Sequence, residues 1–394
     1  MAMAAVMAAV ALGAVMAAVA LAAASVASVR EFSPYVLMAD PLPANPASRP
    51  GHFLVIGAGP VAADAQSTSW NARQVVEFVQ ALGEEGAKLP EVPPGSEEFR
   101  TALASRVSVT LFGIDLSYSP VMLSAGGSLS QDAVEALRAH RKDMEPSRSI
   151  TLDGTGLYMV AWQEASVRAA LGVPVLPRLL GLRGLVVGGS IHWMQGHGVA
   201  RVTAAGSYNP SSDSGQATLT VISADEGGSG LAYDVGFVAE LNRWLALEGA
   251  YVGVGQLRWD NAKTEQAVWG GAASPAGTSP STGEFTYELP ASTVLAVRLR
   301  PLGLVELLLG YARIGVNKPD GFGRLNGELT LRLPLVQPSI GMVQDDGEPS
   351  YLYGKLRLGI GGTAITVKAV NLEALGNPEE AKTFGLSASV TLGF

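Results

Sequence analysis

The chain ends Gly385-Leu386-Ser387-Ala388-Ser389-Val390-Thr391-Leu392-Gly393-Phe394, with Leu, Ala, Val, Leu and Phe at even positions and Gly, Ser, Ser, Thr and Gly at odd ones. Successive side chains of a strand point to opposite faces, so this stretch makes one apolar face and one small polar face. The same alternation recurs upstream. Leu325, Gly327, Leu329, Leu331, Leu333 and Leu335 alternate with Arg324, Asn326, Glu328, Thr330 and Arg332. Leu352, Leu356, Leu358 and Ile360 alternate with Tyr351, Tyr353, Lys355 and Arg357, and Tyr233, Val235 and Phe237 with Asp234 and Gly236. Soluble sandwich strands average about 5–6 residues, whereas a strand that crosses a bilayer needs about 9–11. Runs of this length predict an all-β fold, an antiparallel transmembrane β-barrel whose outer face meets lipid.

Composition agrees. Only 16% of the 394 residues are charged, and 47 are Gly, against about 25% charged and about 7% Gly in an ordinary soluble domain. The formal charge of −8 leaves no basic footprint for nucleic acid. With no cysteine, disulfides, thiolate zinc sites and Cys nucleophiles are excluded, as is the lipid-modified Cys of a lipoprotein. The first charged side chain is Arg30, and the apolar run before it ends Ser25-Val26-Ala27. Small residues at the first and third of these positions fit a cleavage site, so residues 1–27 read as a signal peptide. The run carries no basic n-region, and it is long enough to span a membrane uncleaved, which is the alternative. An export signal at one end and a strand closing on an aromatic at the other resemble an outer-membrane barrel. In such barrels Leu386, Val390, Leu392 and Phe394 would form the signal read by the assembly machinery.

Residues 28–150 read as an N-terminal segment with the first strands and a helical insert, and 151–394 as the main barrel. Alternating runs between Ala104 and Phe394 give 12–16 strands, with 14 as the best single number, since such barrels close on even counts. Asn242-Arg243 is a tight break expected on the periplasmic side, and the Ser/Gly-rich tract Gly270–Gly283 an external loop. Two stretches have helical rhythm. After Ser69, a candidate N-cap, Val75, Val76, Phe78, Val79 and Leu82 share a stripe that Gly83 ends; Pro90–Gly95 then leads to a short segment around Glu97–Leu103. After Ser130, Ala133, Val134, Leu137 and Met144 make a second stripe. Neither is apolar all round. Each has to bury one face on protein, in the lumen or on the periplasmic rim, and Val75, Phe78, Val79 and Leu82 are the candidate plug.

A charge facing lipid costs about 2–4 kcal/mol at mid-bilayer for Arg or Lys, so the charged residues on the polar faces are expected to point inward. Arg298, Arg300, Glu306, Arg324, Glu328, Arg332, Lys355, Arg357 and Lys368 are the candidate lumen-lining set. They read either as a selectivity wall or as paired charges that fill the interior.

Several motifs point elsewhere. Gly57-Ala58-Gly59-Pro60-Val61-Ala62 follows an apolar run as a dinucleotide fingerprint does, with Glu77 about 20 residues on. That chemistry needs a helix starting within the motif, yet Asp64–Ser69 intervenes before any helical stripe. His192 shares a face with Ser190 and Met194, and Trp193 takes the other. With no carboxylate near it in sequence, His192 reads as a lumen-facing residue beside a girdle Trp. Asp345-Asp346-Gly347-Glu348 lacks the spacing of a calcium loop and reads as an external turn. No catalytic, cofactor or metal constellation is expected, and the chain does not read as an enzyme.

Three segments carry a family resemblance. They are Asn45-Pro46-Ala47, Leu289-Pro290 leading into Ser292–Arg300, and Leu185–Gly196 with Val187-Gly188-Gly189 and Met194-Gln195-Gly196. In this order they resemble the FadL-type and TraF-like outer-membrane barrels, and the helical insert is most similar to an uncharacterised branch. The resemblance implies a channel or hatch-gated transporter for small or hydrophobic solutes in the outer membrane, with lipid and the assembly machinery as partners. The alternative is a structural or assembly component of an envelope machine.

Overall fold

A computed structural model describes residues 33–37, 45–47, 54–67, 96–141, 144–153, 155–173, 181–225, 227–270, 280–301, 303–360, 362–371 and 382–393. Its strands are β1 (Leu54–Ser67), β2 (Ser96–Leu111), β3 (Ile114–Ser130), β4 (Ile150–Thr151), β5 (Thr155–Gly172) and β6 (Gly184–Asn209). They continue as β7 (Ser214–Ala224), β8 (Gly228–Glu240), β9 (Leu245–Trp269), β10 (Ser281–Glu288), β11 (Ser292–Leu299) and β12 (Val305–Ile314). The last are β13 (Phe322–Leu331), β14 (Val336–Asp345), β15 (Ser350–Ile360), β16 (Thr363–Val370) and β17 (Thr383–Gly393), and a helix, α1 (Gln131–Arg141), follows β3. No helix among the described residues is long and apolar enough to cross a membrane.

The strands form a closed antiparallel barrel of 14, as the alternating runs predicted. β17 pairs back onto β1, with Ala62 opposite Ser387 and Gln66 opposite Thr383, so the wall has no free edge. The remaining three strands lengthen the wall at one end: β4 and β7 pair with the far part of β6, and β10 with the far part of β9. Phe112-Gly113, Asn242-Arg243 and Arg332–Leu335 are short turns at the opposite end. Phe112 and Gly113 both take positive φ (53° and 82°), which matches the right-handed twist of a tight hairpin. Trp269 and Ser281, which flank the expected external loop, fall at the extended end.

Register sorts the side chains. On β17, Leu386, Val390 and Leu392 face out and Ser387, Ser389 and Thr391 face in; on β13, Leu329 and Leu331 face out while Arg324, Asn326 and Glu328 are buried inward. Phe394 lies outside the described residues, as do residues 1–27 and the stripe with the candidate plug Val75, Phe78, Val79 and Leu82.

Two expectations are corrected. Glu97–Leu103 belongs to β2, so the barrel begins before Ala104. The Gly57–Ala62 motif, already set aside as a dinucleotide site, lies inside β1, which runs on to Ser67 without turning into a helix. The second helical stripe forms α1 without Met144, which lies beyond its end and is exposed; α1 is capped where Ser130 Oγ accepts the Ala133 N–H at 3.1 Å, but it enters neither the lumen nor the short-turn rim. It buries Ala133, Val134 and Leu137 against Leu157, Val202 and Leu219, which lie in the outward register of the extended wall end.

The ladder is interrupted at one level across neighbouring strands, between Ala58 and Val61, Ala104 and Val107, and Ser119 and Met122. One hydroxyl bridges part of it. Ser105 Oγ accepts the Val121 N–H at 3.1 Å and donates to the Val121 carbonyl at 3.2 Å.

Candidate functional site

The lumen is not empty. Ser33–Leu37 and Asn45–Ala47 lie inside it, with Val36, Leu37 and Ala47 each at most 3% exposed. Val36 and Leu37 pack with residues from around the wall, among them Ala102, Val252, Val294 and Tyr353.

Two polar anchors hold this segment. On one side the Tyr35 hydroxyl donates to Glu164 Oε2 at 2.6 Å, and its ring meets His192 edge-on, with centroids 5.5 Å apart. His192 lies between two carboxylates, Nδ1 3.1 Å from Glu164 Oε1 and Nε2 2.8 Å from Asp234 Oδ2. Asp234 Oδ1 in turn accepts the Gly253 N–H at 2.8 Å. A neutral imidazole has one N–H, so satisfying both carboxylates requires a second proton in this cluster. Both ring nitrogens are thereby engaged, and neither is free to take a proton from Ser190. The wall facing His192 does hold carboxylates, contrary to the sequence expectation. No group of three or more His, Cys, Asp or Glu among the described residues is arranged to hold a metal.

On the other side Arg324, 1% exposed, donates Nη1 to the Val36 carbonyl at 3.0 Å. Its Nε and Nη2 form a fork on Asp345 at 2.6 and 2.9 Å, the geometry of the stronger charge-assisted pairs. Asp345 opens the turn Asp345–Glu348, which the Glu348 N–H closes on its carbonyl at 3.0 Å, but its side chain is a buried inward ligand of Arg324 and is not solvated. Arg100 approaches the same carboxylate at 3.3 Å.

Asn45 and Pro46 dock in a notch. Asn45 Nδ2 donates to the Phe237 carbonyl at 2.8 Å, and its Oδ1 accepts the Ala47 N–H at 2.9 Å. Facing them are Gly188 and Gly236, paired across β6 and β8. A Cβ on Gly188 would stand 2.2 Å from the Pro46 carbonyl oxygen, and one on Gly236 2.3 Å from Asn45 Oδ1.

Toward the long-loop end the inner wall turns aromatic and apolar. Trp162, Met194, Val199, Leu257, Trp259 and Tyr287 form one buried cluster with Tyr158, and the rings of Tyr158 and Tyr287 stack at 6.5 Å. Beside them an open cavity of about 530 Å³ is bordered by Tyr158, Val160, Val199, Phe285, Tyr287 and Lys318. It is in the size range of small-molecule sites, about 300–1,000 Å³.

The candidate lumen-lining set divides into two groups. Arg324, Glu328, Lys355 and Lys368 lie deeper: Glu328 accepts from Lys355 and, at 3.0 Å, from Tyr353, whose ring Lys368 covers at 3.7 Å. Arg298, Arg300, Glu306 and Arg332 gather at the short-turn end around Glu306, and Arg357 stands exposed near the same end. Tyr35, Glu164 and Asp234 had no sequence signal tying them together. Asn45-Pro46-Ala47 was the one pointer to the lumenal segment.

A closed even-stranded antiparallel barrel with an apolar outer belt and an occupied lumen defines the class of transmembrane β-barrels. Comparison of folds agrees. A mutant of the monoaromatic hydrocarbon channel TodX superposes with a TM-score of 0.52 at 10% identity, over 89% of this chain and 93% of that one. A Pseudomonas aeruginosa FadL homologue gives 0.49 at 9% identity over 88% and 91%, and the P. putida toluene transporter TodX 0.48 at 10% over 89% and 93%. The first of these superpositions shows a likeness of fold, and at such identity of the fold alone. No family model and no curated protein matches the sequence.

Proposed function

We propose that this chain is a hatch-gated transporter of small hydrophobic solutes in the bacterial outer membrane, with no catalytic role. The cavity of about 530 Å³ at the long-loop mouth, where Tyr158, Phe285 and Tyr287 stand beside a rim of Arg201, Glu288, Lys318 and Asp320, carries the reading. It offers stacked rings and aliphatic side chains to a solute, and apolar burial of this kind contributes about 25 cal/mol per Å². Below it, Tyr35 touches Met194 of the same apolar cluster, so the lumenal segment forms the floor. The TodX likeness supports the reading through the fold, since that protein is described as a monoaromatic hydrocarbon channel. Assembly would proceed through the closing strand, with Leu386, Val390 and Leu392 presented outward.

Toluene uptake by cells producing the chain tests this, with Tyr158→Ala/Tyr287→Ala as the variant. The expected result is uptake well above an empty-vector control and a clear fall in the variant. Uptake no faster than the control would remove the transport reading and favour a structural role in the envelope.

A further inference from the structure

At the short-turn end of the lumen one inward row runs across β6, β8, β9 and β11 as Gly184, Glu240, Ala246 and Arg298. Gly184 and Ala246 are too small to fill the row. A cavity of about 150 Å³ remains, bordered also by Arg183, Arg243 and Arg300. At about 30 Å³ per water this is room for a handful of waters, or for one oxyanion group.

The charges around it do not balance. Glu306 is shared by Arg300 at 2.7 Å, Arg298 at 3.6 Å and Arg332 at 3.9 Å. Arg298 also reaches Glu248, and Arg183 meets Glu240 only at 4.0 Å. Arg243 lies over the Trp244 ring at 4.5 Å and has no ion-pair partner among the described residues. Arg183, Arg243, Arg298, Arg300 and Arg332 thus face Glu240, Glu248 and Glu306. An oxyanion in the cavity would supply the missing charge, and the planar guanidinium fork matches carboxylate and phosphate. Trp244, Leu245 and Ala246 line the remaining side, so an apolar body attached to the anion is also accommodated.

We propose that this arginine-lined cavity at the inner mouth is a binding site for a carboxylate or phosphate group. The site stands independently of the transport reading. Calorimetric titration of the full chain in an uncharged detergent tests it, using inorganic phosphate, decanoate and decanol as separate probes. Phosphate or decanoate should bind saturably and decanol should not. Binding should weaken about tenfold or more in Arg298→Gln and in Arg243→Gln, as expected for loss of a charge-assisted contact, and stay unchanged in Lys263→Gln, an exposed charge at the far end. Arg243 sits on a turn, so its variant keeps the test open where Arg298→Gln fails to fold. Phosphate binding would identify a free oxyanion as sufficient; decanoate binding alone would identify the anionic head of an amphiphile. Absence of binding by both anions, equal binding of decanol, or undiminished binding in the arginine variants would overturn the site.

Discussion

The hydroxyl of Tyr35 donates a 2.6 Å hydrogen bond to Oε2 of Glu164, 129 residues further along the chain. This contact joins a segment that precedes the first wall strand to the middle of β5. It also adds a donor to the Glu164 carboxylate, which shares His192 with Asp234, so attachment of the segment and satisfaction of the buried charges are linked.

Tyr35→Phe keeps the ring against His192 and removes the hydroxyl. A buried acceptor left short of a donor costs about 1–3 kcal/mol, and the expected consequence is a looser lumenal segment. Because the chain has no cysteine, Val36→Cys can report it with a water-soluble maleimide. Labelling should be slow in the parent and faster with Tyr35→Phe; equal rates would count against the anchor.

The glycine notch makes a steric prediction. Gly188→Ala places a methyl 2.2 Å from the Pro46 carbonyl oxygen, and backbone cannot yield as a flexible side chain can. Residues 45–47 should leave the wall, exposing Ala47, which is 1% exposed when docked. Labelling at Ala47→Cys measures this directly, and an unchanged rate would mean that the notch is not the dock.

Replacing His192 by Leu strands Glu164 and Asp234 as unpaired buried carboxylates. Removing one partner of such a cluster costs about 3–5 kcal/mol, so the heat-modifiability transition should fall. Adding Glu164→Gln and Asp234→Asn to His192→Leu should restore much of the loss. If the triple variant is no more stable than the single one, the His192 contacts do not bear on stability.

The register predicts asymmetry between adjacent positions. Leu329→Arg presents a charge to lipid at a cost of about 2–4 kcal/mol near mid-bilayer and should impair insertion, whereas Leu329→Phe should be tolerated. Lipid-soluble probes should reach a cysteine at 329 and water-soluble ones a cysteine at 328. The reverse pattern would shift the register by one residue.

Deletion of Phe394 tests the closing signal. Export should continue while the amount of heat-modifiable, membrane-embedded protein drops. Normal insertion would remove the assembly role assigned to the terminal aromatic.

The wall was legible in the sequence because a strand's side chains alternate with a period of two, and a membrane barrel asks each strand to be apolar on one face over its full length. Leu325 to Leu335 and Gly385 to Gly393 therefore declare their faces without knowledge of their neighbours, and a count of 12–16 such runs brackets the 14 strands of the closed wall. The N-cap at Ser130 was likewise local. What fills the lumen was not. Tyr35, Glu164, His192 and Asp234 come from the lumenal segment and three different strands, and Val36 meets Arg324 from the opposite wall, so no spacing relates them. Nor does the stripe of α1 say which surface it covers: an amphipathic helix demands burial, and only the extended strands β5 to β9 decided that its partner is the outer register of the wall. Face and count are properties of single strands; the anchors, the glycine notch and the arginine-lined mouth exist only once closure brings distant strands to one inner surface.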